Sequence, residues 1–166
     1  MKKPVIPPKP VIPKKPVIPS EARDPNFGPR VRASFAKQHL MRTIGAMLED
    51  VEPGRVAIRL PFRQDLTQQH GFLHAGTIAA VADSACGYAA LTLMPSDAAV
   101  LSIEFKVNML APAQGESIVA RAEVIRAGRT IAVCRADVHA ATAGVEKLVA
   151  AMQGTMMVVT GRDISD

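Results

Sequence analysis

The sequence predicts an α+β domain in which one long helix is wrapped by a curved antiparallel sheet of about five to six strands. Three observations predict it. The run from Ala75 to Leu93 is too long for an ordinary strand, carries Asp83 as its single ionised residue, and stops at Met94-Pro95, where proline disfavours helix. Four strand-like segments follow it, separated by Gly-containing turns. Two shorter ones precede it, joined by a Pro/Gly turn, VEPG. A helix that is apolar all round needs a wrapper, and a curved antiparallel sheet is the one these segments can build.

The elements follow in order. Residues 3 to 20 are three hexapeptide copies, KPVIPP, KPVIPK and KPVIPS. Proline at this density fixes φ and removes donors, so residues 1 to 27 are expected to form a disordered or polyproline-like arm, with the folded domain spanning 28 to 166. Val31, Phe35, Leu40 and Met41 fall near helical spacing and predict a short amphipathic helix. Residues 43 to 50 and 55 to 62 read as a hairpin, the second with Val56, Ile58 and Leu60 alternating. The helix over 75 to 93 would run roughly 28 Å at 1.5 Å per residue. Strands are expected over 100 to 110, 117 to 125, 130 to 141 and 145 to 160. In the first of these, Leu101, Ile103, Phe105 and Val107 alternate with Ser102, Glu104, Lys106 and Asn108, which places Ser102 on the exposed face.

Composition narrows the function. The chain has 166 residues, 48% of them apolar, with a mean hydropathy of +0.14, enough for one domain with its own core. Its net charge of +5 resides in the arm, whose first 20 residues hold five Lys and no acid, so the rest is neutral. With one Tyr, five Phe and no Trp there is no basic, aromatic-interleaved surface, which argues against nucleic-acid binding. Asp83 near the middle of the apolar run argues against a membrane span. Cys86 and Cys134 stand alone rather than in metal or redox spacings, and no apolar stretch follows the initial MKK. Both read as a cytoplasmic protein with buried thiols.

The stretch QQHGFLHAGTIAAVADSACGY, Gln68 to Tyr88, concentrates the chemistry. A carboxylate buried without a partner costs several kcal/mol or takes up a proton, so Asp83 is expected to be paired, solvated in a pocket, or used. A His/Gly turn directly precedes the helix. The helix N-terminus offers unpaired amides carrying about half a positive charge.

The string GFLHAGTIAAVADSACGYAA resembles the HGG-x6-[AL]-D-[ST] signature of hotdog-fold acyl-CoA thioesterases of the PaaI, or phenylacetate-pathway, type. The resemblance covers roughly residues 40 to 160, and the downstream SIEFKVNMLAPA segment and strand order agree with it. It implies a hotdog fold and hydrolysis of an acyl-CoA thioester, aryl or medium-chain, without metal or redox cofactor. It also implies that an amide of Ala75 or Gly76 polarises the thioester carbonyl, and that Asp83 acts across a dimer interface as general base or nucleophile. By the same resemblance Gln68 stands where relatives often carry Asn to hold substrate or water, and Ser102 where some orient the attacking water. Ala75 replaces a Gly of the signature, which a backbone donor tolerates.

Further assignments follow from residue chemistry. His74 is expected to be a neutral imidazole fixing the turn and helix start. His70 and His74 are four apart, but the glycines around them favour a turn over a metal helix, so no metal is expected. His70, Phe72 and Tyr88 are candidate substrate contacts, and Arg126 and Arg129 flank a Gly128 turn where guanidinium groups could meet the phosphates of coenzyme A. His139, without a companion, reads as structural. Asp83 and the helix start are roughly 10 Å apart by rise, which with the open edge of a sheet predicts a homodimer or homotetramer. The other readings are a non-catalytic acyl-CoA or aryl-ligand binding module and a hydroxyacyl-thioester hydratase or dehydratase. The GDxNPxH loop of the latter is missing.

Overall fold

The computed structural model describes residues 24–161 and Ile164. The proline-rich arm expected over 1 to 27 lies almost wholly outside the described residues. Within them, α1 (Phe27–Lys37) and α2 (His39–Ile44) precede a hairpin of β1 (Met47–Glu52) and β2 (Arg55–Pro61). After a short 3-10 turn at Gln64–Leu66 come α3 (Ala75–Leu91), β3 (Ala99–Met109), β4 (Ser117–Ala127), β5 (Ile131–Thr142) and β6 (Val145–Val159). The six strands form one antiparallel sheet in the order β1-β2-β4-β5-β6-β3, so β1 and β3 are its edges.

The helix expected over 31 to 41 is two helices, broken at Gln38, whose extended backbone (φ −70°, ψ 102°) ends α1 and starts α2. Thr43 and Ile44, expected in a strand, belong to α2, which Gly45 closes at φ 79°. That left-handed conformation suits glycine.

One face of the sheet packs on α3, which touches β2 through β6. Ile58, Leu60, Leu91, Ile118, Met152 and Met156 are fully buried between them; each such side chain contributes about 1.5–3 kcal/mol of burial. Arg30 ties α1 to the end of α3. Its guanidinium donates to the carbonyls of Leu91 (2.8 Å), Met94 (3.3 Å) and Pro95 (2.5 Å) and pairs with buried Asp24 at 3.4 Å. A cation at a helix C-terminus satisfies orphan carbonyls and the helix dipole together.

The sheet does not cover α3 all round. Ile78, Val81, Ala82, Ala85, Cys86 and Ala89 are buried, whereas Gly76, Ala80, Asp83, Ser84 and Gly87 form a half-buried to exposed stripe at helical spacing. Asp83 lies in that stripe.

The expected alternation along β3 fails at one residue. Ser102 pairs with Met156 and Glu104 with Thr155, leaving Ile103 as the extra residue of a bulge. Met156 is buried in the core, so Ser102 opposite it faces the helix. Beyond the bulge Phe105 and Val107, opposite Gly154 and Met152, share that side. Without the bulge Ser102 would point away from α3.

Candidate active site

The start of α3 is set by His74. Its backbone is extended (φ −61°, ψ 137°) and its ring Nδ1 accepts the Gly76 N–H at 2.9 Å, a side-chain cap. Thr77 and Ile78 donate to the His74 carbonyl. Of the first amides of the helix, the Gly76 N–H is therefore occupied by the imidazole, and the Ala75 N–H has no acceptor among the described residues. His74, Ala75 and Gly76 are all exposed.

The preceding turn is closed by its own residues. Gln68 N–H donates to the Phe72 carbonyl (2.8 Å), the His70 N–H donates to the Gln68 side-chain oxygen, and Gly71 takes φ 83°. The amide NH2 of Gln68 remains free of described partners, and the His70 ring hydrogen-bonds the Gln69 side chain. Gln68, Phe72 and Ala75 open onto a cavity of about 400 Å³ completed by Met109 and Leu110.

Asp83 is half-buried, and Ser102 Oγ donates to its Oδ1 at 2.7 Å. The carboxylate is paired and solvated together, as its isolation in the sequence requires. A second, small cavity of about 90 Å³ adjoins it, lined by Gln38, Ser84, Gly87, Tyr88, Val100 and Ser102. Ser84 Oγ donates to Gln38 Oε1 at 3.3 Å. Tyr88 is nearly buried, edge-on to Phe35 at 5.7 Å and hydrogen-bonded to Ser34 (3.3 Å), so it forms the floor of this cavity more than an open contact.

Cys86, one helical turn beyond Asp83, is no nucleophile at neutral pH. Burial first, then Cys134 and Asp83 nearby, push its thiol far up, and burial pushes Cys134 up to about 12. Among the described residues no three His, Cys, Asp or Glu side chains gather as a metal site. Arg126 and Arg129 are exposed at the β4–β5 turn. That turn lies at the same end of the sheet as Val100, since Val158, the partner of Val100, donates to the Thr130 carbonyl. A third cavity, about 380 Å³, lies on the far side of the sheet. There Arg55, Arg121 and Arg135 are already paired with Glu123, Glu146 and Asp137, which leaves no unpaired guanidinium to bind an anion.

The structure thus brings Asp83 and Ser102 together, and Gln68, Phe72 and Ala75 together, in two separate places. Eight residues of helix, roughly 12 Å, divide Asp83 from Ala75. Gln38 and Ser84 were not singled out by the sequence. Ser84 follows Asp83 directly, and Gln38 sits at the α1–α2 break between Lys37 and His39; neither position has a pattern that marks it.

A family model described as the thioesterase superfamily matches residues 70–147, from the His70 turn through α3 into β6. Among solved structures, a thioesterase family protein from Silicibacter pomeroyi is 50% identical, with a TM-score of 0.80 over 81% of this chain and 99% of that one. The E. coli PaaI protein from the phenylacetic acid degradation operon, 18% identical over 82% of this chain and 95% of that one, shares the fold with a TM-score of 0.72. The 1,4-dihydroxy-2-naphthoyl-CoA hydrolase of Listeria monocytogenes is 31% identical over 94 residues, 57% of this chain and 76% of that protein. With these matches, the six-stranded hotdog sheet and its central helix, the chain belongs to the thioesterase superfamily and is a thioester hydrolase.

Proposed function

We propose that this chain hydrolyses an acyl-CoA thioester, with an aryl or medium-chain acyl group, to free acid and CoA, as a homodimer or a tetramer built from it. Each active site takes the Ala75 N–H from one subunit and Asp83 from the other. The observation that carries this reading is the roughly 12 Å of helix between the unpaired Ala75 amide and the Asp83 carboxylate held by Ser102, each opening onto its own cavity. Two groups so placed serve one carbonyl only if two copies of α3 lie side by side. The edge strand β3 favours such pairing, because it exposes Leu101, Ile103, Phe105 and Met109 at 42–51% in a row of unpaired backbone groups.

In this reading the thioester carbonyl oxygen sits on the Ala75 N–H at the positive end of α3, where developing negative charge is stabilised. The Gln68 NH2 holds substrate or water beside it, and His74 serves by fixing the helix start. Asp83, held by Ser102, acts on the carbonyl carbon as base or as nucleophile. Phe72, with Met109 and Leu110, offers apolar wall to the acyl or pantetheine portion. His70 lies at the cavity rim, and Arg126 and Arg129 are candidates for the CoA phosphates. The Listeria relative, named for an aromatic acyl-CoA, favours an aryl group. A cytoplasmic location fits the two free buried thiols.

The test is release of free thiol from a panel of acyl-CoAs by the wild type and by Asp83→Asn. Turnover by the wild type, with at least a hundredfold loss in the variant, is expected. A loss under about tenfold, ~1.4 kcal/mol, would remove Asp83 from the mechanism. Binding of acyl-CoA without any turnover would favour a ligand-binding module, a reading to which the engagement of Gln68 Oε1 in its own turn lends some support.

A further inference from the structure

The small cavity beside Asp83 has a composition unlike the two larger ones described above. It is walled by the Gln38 amide, the Ser84 and Ser102 hydroxyls and the Asp83 carboxylate, with Val100 as its apolar side chain above the Tyr88 floor. Its volume of about 90 Å³ matches about three waters at their share of liquid volume, and is smaller than the roughly 150 Å³ of an apolar cavity that takes benzene. A small polar cavity with several hydrogen-bonding partners holds water; an acyl chain entering it would strand those partners.

The supply of donors and acceptors fits that occupant. Ser102 takes Asp83 Oδ1, leaving Oδ2 without a described partner. Ser84 takes one end of the Gln38 amide, leaving the other end free toward the cavity. Room for water exists because residue 87, one turn beyond Asp83 on the same stripe of α3, is glycine. A methyl group there would meet nothing outside its own helix nearer than Val100 Cγ1 at 4.0 Å. The site is therefore open by absence of a side chain rather than by strain.

We propose that this cavity is the store from which the hydrolytic water is delivered, with Gln38 and Ser84 as positioning residues and Gly87 providing the space. The inference rests on the thioesterase reading above and assigns Asp83 the role of general base. The water oxygen forms the bond to the thioester carbon while one of its protons passes to Asp83 Oδ2. The tetrahedral adduct then collapses, the C–S bond breaks, and that proton reaches the departing CoA sulfur, so that thioester and water give acid and thiol with nothing left over.

The experiment compares the wild type with Gly87→Ala, Gly87→Val and Gln38→Met on the best thioester of the panel, with thermal melts to establish folding. Helix propensity favours Gly87→Ala by up to about 1 kcal/mol, so its effect on activity is free of any loss of fold. Expected are a graded fall in kcat, from a few-fold in Gly87→Ala to roughly tenfold or more in Gly87→Val and Gln38→Met, with KM within about threefold of wild type. In a single turnover by excess wild-type enzyme in H2(18)O, the product acid is expected to carry the label. A rise in KM with kcat unchanged would make the cavity an acyl subsite and overturn the proposal, as would wild-type kinetics in all three variants or an unlabelled acid. Failure of the wild type to cleave any thioester is a separate result, seen before any variant is tested. It would overturn the functional reading and this inference with it.

Discussion

Ala75→Pro removes one hydrogen-bond donor and almost nothing else. Ala75 is the first residue of α3, a position where proline is favoured because the missing N–H would bond to nothing within the helix. The residue before a proline must be extended, and His74 already is, at φ −61° and ψ 137°. No described residue accepts from the Ala75 N–H, and the His74 Nδ1 cap on Gly76 is untouched. Stability is therefore expected to hold or to rise by about 0.4–1 kcal/mol through a less flexible unfolded chain. If that amide polarises the thioester carbonyl, kcat is expected to fall by roughly 10²–10³, about 2.7–4 kcal/mol of transition-state stabilisation. Thiol-release kinetics with a parallel denaturant melt measure both quantities. A stable Ala75→Pro protein with wild-type kcat would refute the assignment, and the carbonyl would then have to be polarised from elsewhere.

The same variant tests whether the site is shared. In a symmetric dimer, mixing Ala75→Pro with Asp83→Asn after subunit exchange gives hybrids in half the molecules, each with one doubly defective site and one intact site. About a quarter of wild-type activity is then expected from two proteins that are each nearly inactive. A site contained within one chain would recover none.

Two further outcomes follow from individual contacts. Ser102→Ala deletes the 2.7 Å hydrogen bond to Asp83, and kcat is expected to drop on the order of tenfold with KM unchanged. In the Asp83→Asn background the same change is expected to cost nothing more, and an additive double mutant would separate the two residues. Arg30→Met breaks the clamp between α1 and α3 and strands Asp24, which is 7% exposed; a loss of roughly 3–5 kcal/mol in a urea melt is expected. A loss below about 1 kcal/mol would mean that the clamp contributes nothing beyond an exposed ion pair.

The legible part of this fold was the part written in periodicity. The helix over 75 to 93 ends at Leu91, and the four strands after it lie within two residues of expectation, because proline at 95 and glycine turns punctuate long apolar runs. The break at Gln38 was not legible, since Lys37, Gln38 and His39 carry no Pro or Gly. It depends on where α1 and α2 each find a surface to bury Val31 and Met41. The isolation of Asp83 among apolar residues called for a partner, a solvated pocket or a use, but its hydrogen-bond partner Ser102 was not identifiable from the alternation of β3 alone.

That partner depends on the bulge at Ile103. A single inserted residue has no compositional signature, yet it reverses the facing of every side chain on one side of it relative to the other. Strict alternation would have turned Ser102 outward and brought Leu101 and Ile103 in against the helix, completing an ordinary apolar strand. The bulge instead leaves Leu101 and Ile103 exposed at 46% and 51%, an unfavourable arrangement in an isolated subunit, and places a hydroxyl on Asp83. One irregularity thus creates both the polar contact at the carboxylate and the apolar edge that a second subunit would cover. A Leu101→Lys, Ile103→Lys variant, which leaves the bulge and the Ser102 contact to Asp83 in place but charges the exposed edge, is accordingly expected to weaken self-association in sedimentation velocity and hydrolysis together. Loss of either one alone would sever the link between them.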